Sequence, residues 1–260
     1  MIFCVVFSQN RNFLRFLSIL LSIAVWWVVS LFFPPSIIPG PLATFLTLLG
    51  DAIGGSLWYN VGVTLERVLI GFVLAVFSGT LLGIAMGLSY RVENFLDFIV
   101  LIILSIPSPA LAIISLMWFG LNQWATVAVS YAIVLPLITI HVQEGMKNVN
   151  VELVEMSKSF NADRRFILTS VVLPSLGSYV YSASRLALGV ALKVAVIAEL
   201  LGVSSGIGYE LQYYFSLFNM NQVFAWTVVF TILVLLFDVV IFGRLERSLF
   251  KWRRTIANRL

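Results

Sequence analysis

The sequence predicts an all-α, polytopic membrane protein with six transmembrane helices and both termini in the cytoplasm. Three observations carry that prediction. Of its 260 residues, 60% are hydrophobic and only 11% charged, with a mean hydropathy of +1.02, a balance that belongs to the membrane class rather than to soluble domains. Six stretches, about 16–33, 60–88, 94–119, 124–142, 175–200 and 222–243, stay apolar over the roughly 20 residues that a bilayer core about 30 Å thick requires. With the N-terminus inside, 13 of the 16 Lys and Arg residues fall in cytoplasmic segments, and none falls in the outside segments 34–59, 120–123 and 201–221. The same asymmetry accounts for a pI near 9.4 without a nucleic-acid partner.

Residues 1–15 read as a cytoplasmic tail, in which Cys4, the one cysteine, is a small apolar residue that allows no internal disulfide and no cysteine metal cluster. Residues 16–59 hold the first transmembrane helix and an outside amphipathic segment. The first helix lacks a small-residue cleavage site and runs into Phe32-Phe33-Pro34-Pro35, so it is expected to be a retained anchor rather than a signal peptide. Four prolines between 34 and 41 then precede the amphipathic stretch Leu42 to Ile53, which suits a helix lying at the membrane surface. The core follows from 60 to 243. Its first helix repeats Gly71, Gly79, Gly83 and Gly87 at intervals of eight, four and four, placing small residues on one face. That pattern suits close packing against another helix, although glycine is also common in membrane helices generally. Ile106-Pro107-Ser108-Pro109 and Leu135-Pro136 interrupt the third and fourth spans, where prolines kink membrane helices and free carbonyls. Residues 244–260 form a basic cytoplasmic tail.

The cytoplasmic loop 143–174 is the one long charged segment between apolar spans. Val151, Leu153, Val154 and Met156 give a first short helix an apolar side, and Phe166, Ile167 and Val171 give one to a second. Asn161 between them tolerates a left-handed turn, and Pro174 opens the next span. The run Glu155-Met156-Ser157, three residues, Asn161-Ala162, then Val172-Leu173-Pro174 resembles the EAA loop of ABC-transporter permeases. It departs from that pattern where Met156 and Ser157 replace alanines and Asn161 replaces glycine. The likeness extends through PSPALAIISLMWFGLNQWA, with Ser115 at a frequent proline position, and YVYSASRLALGVALKVAVIAELLGVSSGIGYEL, covering about Pro39 to Trp252. It resembles the group of permeases for sulfonates, taurine, nitrate and bicarbonate. The resemblance implies the type I importer permease (MetI-like) fold and an inner-membrane location in a prokaryote. It implies two permease chains, a homodimer or this chain with a similar permease, forming the solute pathway, with an extracytoplasmic solute-binding protein delivering the solute. It also implies that each loop couples to one subunit of a cytoplasmic ABC ATPase dimer that binds ATP and Mg. Glu155, Asn161, Ala162, Asp163 and Leu173 are the coupling residues so implied.

Arg67, Arg185, Lys193 and Glu199 lie in or at the edge of spans, with Glu66 and Asp238 as candidate partners. A charge at membrane depth costs at least about 2.5 kcal/mol, so such groups face a cavity or a partner. Arg185, Lys193 and Glu199 fall on one side of the fifth helix, which is either a cavity wall for an anionic or zwitterionic solute or a set of structural ion pairs. Arg67, Pro107, Arg185, Lys193 and Glu199 are the candidate pathway residues; Lys193 stands where related permeases carry an aromatic or apolar residue.

GVSSG, Gly202 to Gly206, matches a G-x-S-x-G nucleophile pattern, but a Ser204 nucleophile needs a base, and the only histidine, His141, lies at the opposite end of the membrane. The segment reads instead as a turn. The chain carries no phosphate-loop motif, no H-E-x-x-H and no paired Cys or His ligands, so it is read as a transport subunit without a cofactor or ATPase site of its own. The competing class is a self-sufficient proton-coupled secondary transporter or channel, using Glu66, Glu199 and Asp238 as proton sites.

Overall fold

A computed structural model describes residues 11–249, so Cys4, most of the N-terminal tail and the tail cations Lys251, Arg253, Arg254 and Arg259 lie outside the described residues. The chain divides into two units: residues up to Trp58 with Glu210–Phe230, and Tyr59–Tyr209 with the residues from Thr231 on. Among the described residues the structure is helical throughout, without strands.

The first unit contains α1 (Arg11–Phe32) and α2 (Pro41–Gly54). Pro41 sits in the first turn of α2, where its missing N–H is harmless, and Gly55 ends the helix with φ 83°. Trp26 anchors the connection: its indole N–H donates to Pro39 O at 3.1 Å and its ring stacks on Phe224 at 6.0 Å.

The second unit holds the core. Its elements are α3 (Ser56–Leu88), α4 (Tyr90–Ser105), α5 (Ser108–Phe119), α6 (Gln123–Lys147), α7 (Val151–Ser159), α8 (Arg164–Ile167) and α9 (Leu173–Gly202). α10 (Ile207–Ser216) and α11 (Met220–Leu235) each have residues in both units, and α12 (Gly243–Leu249) is the last described helix. α6 is central, with Val129, Val134, Ile138 and Val142 fully buried. Leu111 and Ala112 of α5 and Val194 and Ala198 of α9 pack with Val129 into one apolar cluster.

The glycine face of α3 lies against α6. A Cβ at Gly71 would come within 2.6 Å of Val127 O, and one at Gly83 within 2.6 Å of Thr139 O; one at Gly87 would run into the Met146 side chain. The absence of side chains is therefore what sets the distance between these two helices.

Two proline readings differ from the structure. The predicted span 94–119 is not one kinked helix but two, α4 and α5, meeting at 97°. Pro107 biases Ile106 to extended backbone (φ −74°, ψ 125°), which ends α4, while Pro107 O accepts from Ala110 N and Leu111 N to start α5. Pro174 stands in the first turn of α9, as expected, but the chain is already helical ahead of it. The chain is helical from α8 into α9 through a π-helical turn at Leu168–Val172, in which Leu173 N donates to Leu168 O. The wider turn accommodates a residue that has no N–H and whose ring crowds the preceding carbonyl. α6 runs through Pro136 unbroken.

Among the described residues three helices are long and apolar enough to cross a membrane, and up to five if each bent pair is one span; Phe16–Phe32 of α1 is a shorter apolar helix.

Candidate functional site

Asn60, Thr64 and Arg67 project from one face of α3, at intervals of four and three residues, and all are buried. They meet the end of α9 and the turn that follows it. Glu199, 1% exposed, accepts from Thr64 Oγ1 (2.9 and 3.0 Å to its two oxygens), Arg67 Nη1 (2.9 Å) and Gly208 N (3.1 Å). Arg67 also donates to Ser205 O (2.7 Å) and Ser205 Oγ (2.6 Å). Asn60 Oδ1 accepts from Gly206 N and Thr64 Oγ1 from Ile207 N, at 2.8 and 2.9 Å. Gly206 has φ 109°, and a Cβ there would collide with the Glu199 carboxylate, so the turn closes only around glycine. A buried carboxylate with this many donors holds a fixed shape. The partner of Arg67 is thus Glu199, while Glu66, the candidate nearest in sequence, is exposed. Asn60, Thr64 and Ser205 escaped sequence reasoning; the signal was a polar stripe on an otherwise apolar helix.

The GVSSG segment is part of this turn. Ser205 is held by Arg67, Ser204 is exposed, and His141 Nδ1 lies 2.8 Å from Leu137 O within its own helix. Nothing here assembles a nucleophile and base.

Further along α9, Arg185 grips Asp238 with two prongs, Nε to Oδ1 at 2.6 Å and Nη2 to Oδ2 at 3.2 Å, and reaches Glu246 at 3.4 Å. Asp238 stands in a second π-helical turn, Leu236–Phe242, between α11 and α12, and Tyr181 of α9 donates to Phe242 O at 2.7 Å. Lys193 is exposed and has no acidic partner among the described residues. Pro107 is exposed at the α4–α5 elbow. The structure therefore joins Arg67 to Glu199 and Arg185 to Asp238; Lys193 lines the same cavity as the second pair without an ion pair to it, and Pro107 stands apart from both.

The residues singled out in the loop 143–174 form one compact motif. Asn150 Oδ1 caps α7 by accepting from Glu152 N (2.8 Å) and Leu153 N (3.3 Å). The helix ends with Asn161 in the left-handed conformation (φ 55°), Ala162 N on Ser157 O and Asn161 N on Lys158 O, the two bonds of a Schellman motif. Asp163 Oδ1 then accepts from Phe166 N at 2.9 Å and starts α8. Glu155 is exposed, as are the apolar Val151, Met156, Phe166 and Leu173, and Phe160 is 80% exposed. The loop thus offers a carboxylate beside a rigid apolar surface.

Comparison with known proteins agrees with this architecture. Residues 79–251 match the family described as "Binding-protein-dependent transport system inner membrane component". The taurine transport system permease protein TauC of Escherichia coli is 28% identical over 91% of this chain and 87% of its own length. The formylaminopyrimidine transport permease protein ThiX of Halalkalibacterium halodurans is 28% identical over 90% and 94%. A chain of the MetNI methionine ABC transporter, solved in an inward-facing conformation, superposes with a TM-score of 0.62 at 20% identity, covering 75% of this chain and 94% of that one. The chain belongs to the family of binding-protein-dependent transport system inner membrane components, as a multi-pass permease subunit of an ABC importer.

Proposed function

We propose that this permease forms half of a solute pathway and transmits the work of a separate cytoplasmic ATPase through the loop 143–174. Six spans and two cytoplasmic termini put that loop on the side where ATP is, following the placement of Lys and Arg. The observation that carries the reading is the loop itself. A capped helix, a left-handed turn and a second helix present Phe160, Met156 and Glu155 outward, and the second helix continues without a break into α9. A push on α7 is therefore delivered to a membrane helix, because packed helices move as rigid bodies rather than bending. Glu155 and Asp163 face basic residues of the ATPase, and Asn161, Ala162 and Leu173 hold the shape of the surface that docks. A second copy of the chain completes the pathway, an extracytoplasmic binding protein supplies the solute, and ATP and Mg bind only on the ATPase. Pro107 marks the elbow that moves, Arg67 and Glu199 keep the turn after α9 rigid, and Arg185 and Lys193 border the route of a small anionic solute.

Of the three acids the proton-coupled alternative would use, Glu199 and Asp238 are held in ion pairs with arginines, which supports a structural role for both, while Glu66 is exposed. The coupling reading is tested with a photo-crosslinking amino acid in place of Phe160 in native membranes. The expected product is a crosslink to a chain with a phosphate-loop motif; crosslinks to lipid alone contradict the reading.

A further inference from the structure

Arg185 and Lys193 stand eight residues apart on α9, and Asp238 and Glu246 stand eight apart on the last helical stretch. The two stretches run antiparallel where they meet: Tyr181 donates to Phe242 O, while Lys193 borders one cavity with Val234. In that order Lys193 matches Asp238, and Arg185 matches Glu246. The pairs found are different. Arg185 grips Asp238 with both prongs and also reaches Glu246 at 3.4 Å, so one cation has two acids and Lys193 has none among the described residues. Lys193 lies nine residues, about 13.5 Å, before the end of α9 at Gly202, close to half of a hydrocarbon core about 30 Å thick. An ammonium at that depth needs a counter-charge.

The room to supply one is present. Arg185, Gly189, Lys193, Val234, Phe237 and Asp238 border a cavity of about 270 Å³. Gly189 puts no Cβ between the two cations, and helical side chains lean toward the N-terminus of their own helix. In an antiparallel pair, Lys193 therefore leans toward Arg185, and Asp238 leans toward Lys193. Asp238 also sits in the π-helical turn Leu236–Phe242, whose wider ring holds an extra residue. Tightening that turn to an α-turn rotates Asp238 about the helix axis.

We propose that Asp238 exchanges Arg185 for Lys193 as this stretch shifts along α9, so that the four charges form a latch with two settings. In the second setting Arg185 keeps Glu246 and Lys193 takes Asp238, which leaves none of the four unpaired. α9 then holds the last membrane helix in one of two discrete positions. The exchange involves no solute and holds whether or not the cavity meets the pathway.

The test uses the full chain in nanodiscs of phosphatidylcholine, with Cys4→Ser and with spin labels carried by Ser182→Cys and Val239→Cys, two exposed positions. Labelled chain is diluted with unlabelled chain, so pulsed electron resonance reads distances within one chain. The described pairing is expected as the main distance. Arg185→Met frees Asp238 for Lys193 and is expected to move the main distance by several ångström, up to one helical turn of about 5.4 Å. Adding Lys193→Arg keeps the shift, whereas adding Lys193→Met or Asp238→Asn abolishes it. Melting temperatures follow the same order: Arg185→Met melts near wild type, and the double variant Arg185→Met, Lys193→Met melts clearly lower. The proposal is overturned if Arg185→Met keeps the wild-type distance, or if the shift persists without Lys193. It is overturned as well if Arg185→Met melts as low as the double variant.

Discussion

Glu199 and Arg67 are buried together, and their energetics follow from the cost of separating them. A buried charge whose partner is removed is left unpaired, which typically costs about 3–5 kcal/mol, whereas replacing both partners with apolar groups of similar size can be nearly neutral. Arg67→Met and Glu199→Met are each expected to lower thermal stability in detergent strongly, and the double variant to recover most of the loss. A double variant as unstable as the sum of the singles would show that the two side chains act independently. Both charges were visible in the sequence as residues that needed partners, yet their pairing was not, because 132 residues separate them and a helical wheel reports a face without what the face meets. Asn161 was the opposite case. Its left-handed turn was legible because few non-glycine residues tolerate that conformation, and the local bonds around it decide the geometry.

At the scale of elements, the seam between α3 and α6 is set by glycine. Gly83→Leu drives a side chain into Thr139 O and the Val142 side chain and is expected to destabilise the fold by about 1–3 kcal/mol or more, as overpacking does. Gly177→Ala, whose Cβ meets nothing within 4 Å, serves as the silent control. Thermal unfolding monitored by tryptophan fluorescence separates the two, and equal melting of both variants would mean that the seam is not tightly packed. Hydrophobic length located apolar helices, three of spanning length among the described residues and up to five with each bent pair as one span, because it depends only on local composition. The outcome at each proline was less legible. Pro107 breaks the chain through 97°, Pro136 leaves α6 continuous, and Pro174 follows a π-helical turn. The same residue type had three results because neighbouring helices, not the ring alone, decide where the freed carbonyl is satisfied.

For the whole molecule, the MetI-like fold and the family were legible in ordered motifs spread along most of the chain, which local hydropathy could not have distinguished from any other bundle of membrane helices. The juxtaposition of Arg185 and Asp238 was less so, because it arises only once α9 and the turn after α11 are placed side by side. The proposed role of the loop 143–174 is to couple this permease to another chain's ATP hydrolysis. Glu155 is exposed on α7 and contributes no side-chain contact to the loop's own caps, so reversing its charge leaves the fold intact while opposing a basic partner. The most direct measurement is co-purification of the tagged chain in mild detergent, wild type against Glu155→Arg. Recovery of a phosphate-loop ATPase with wild type, and its loss with an equally stable Glu155→Arg, is the predicted result; wild type recovered as a stable dimer without any nucleotide-binding chain would contradict it.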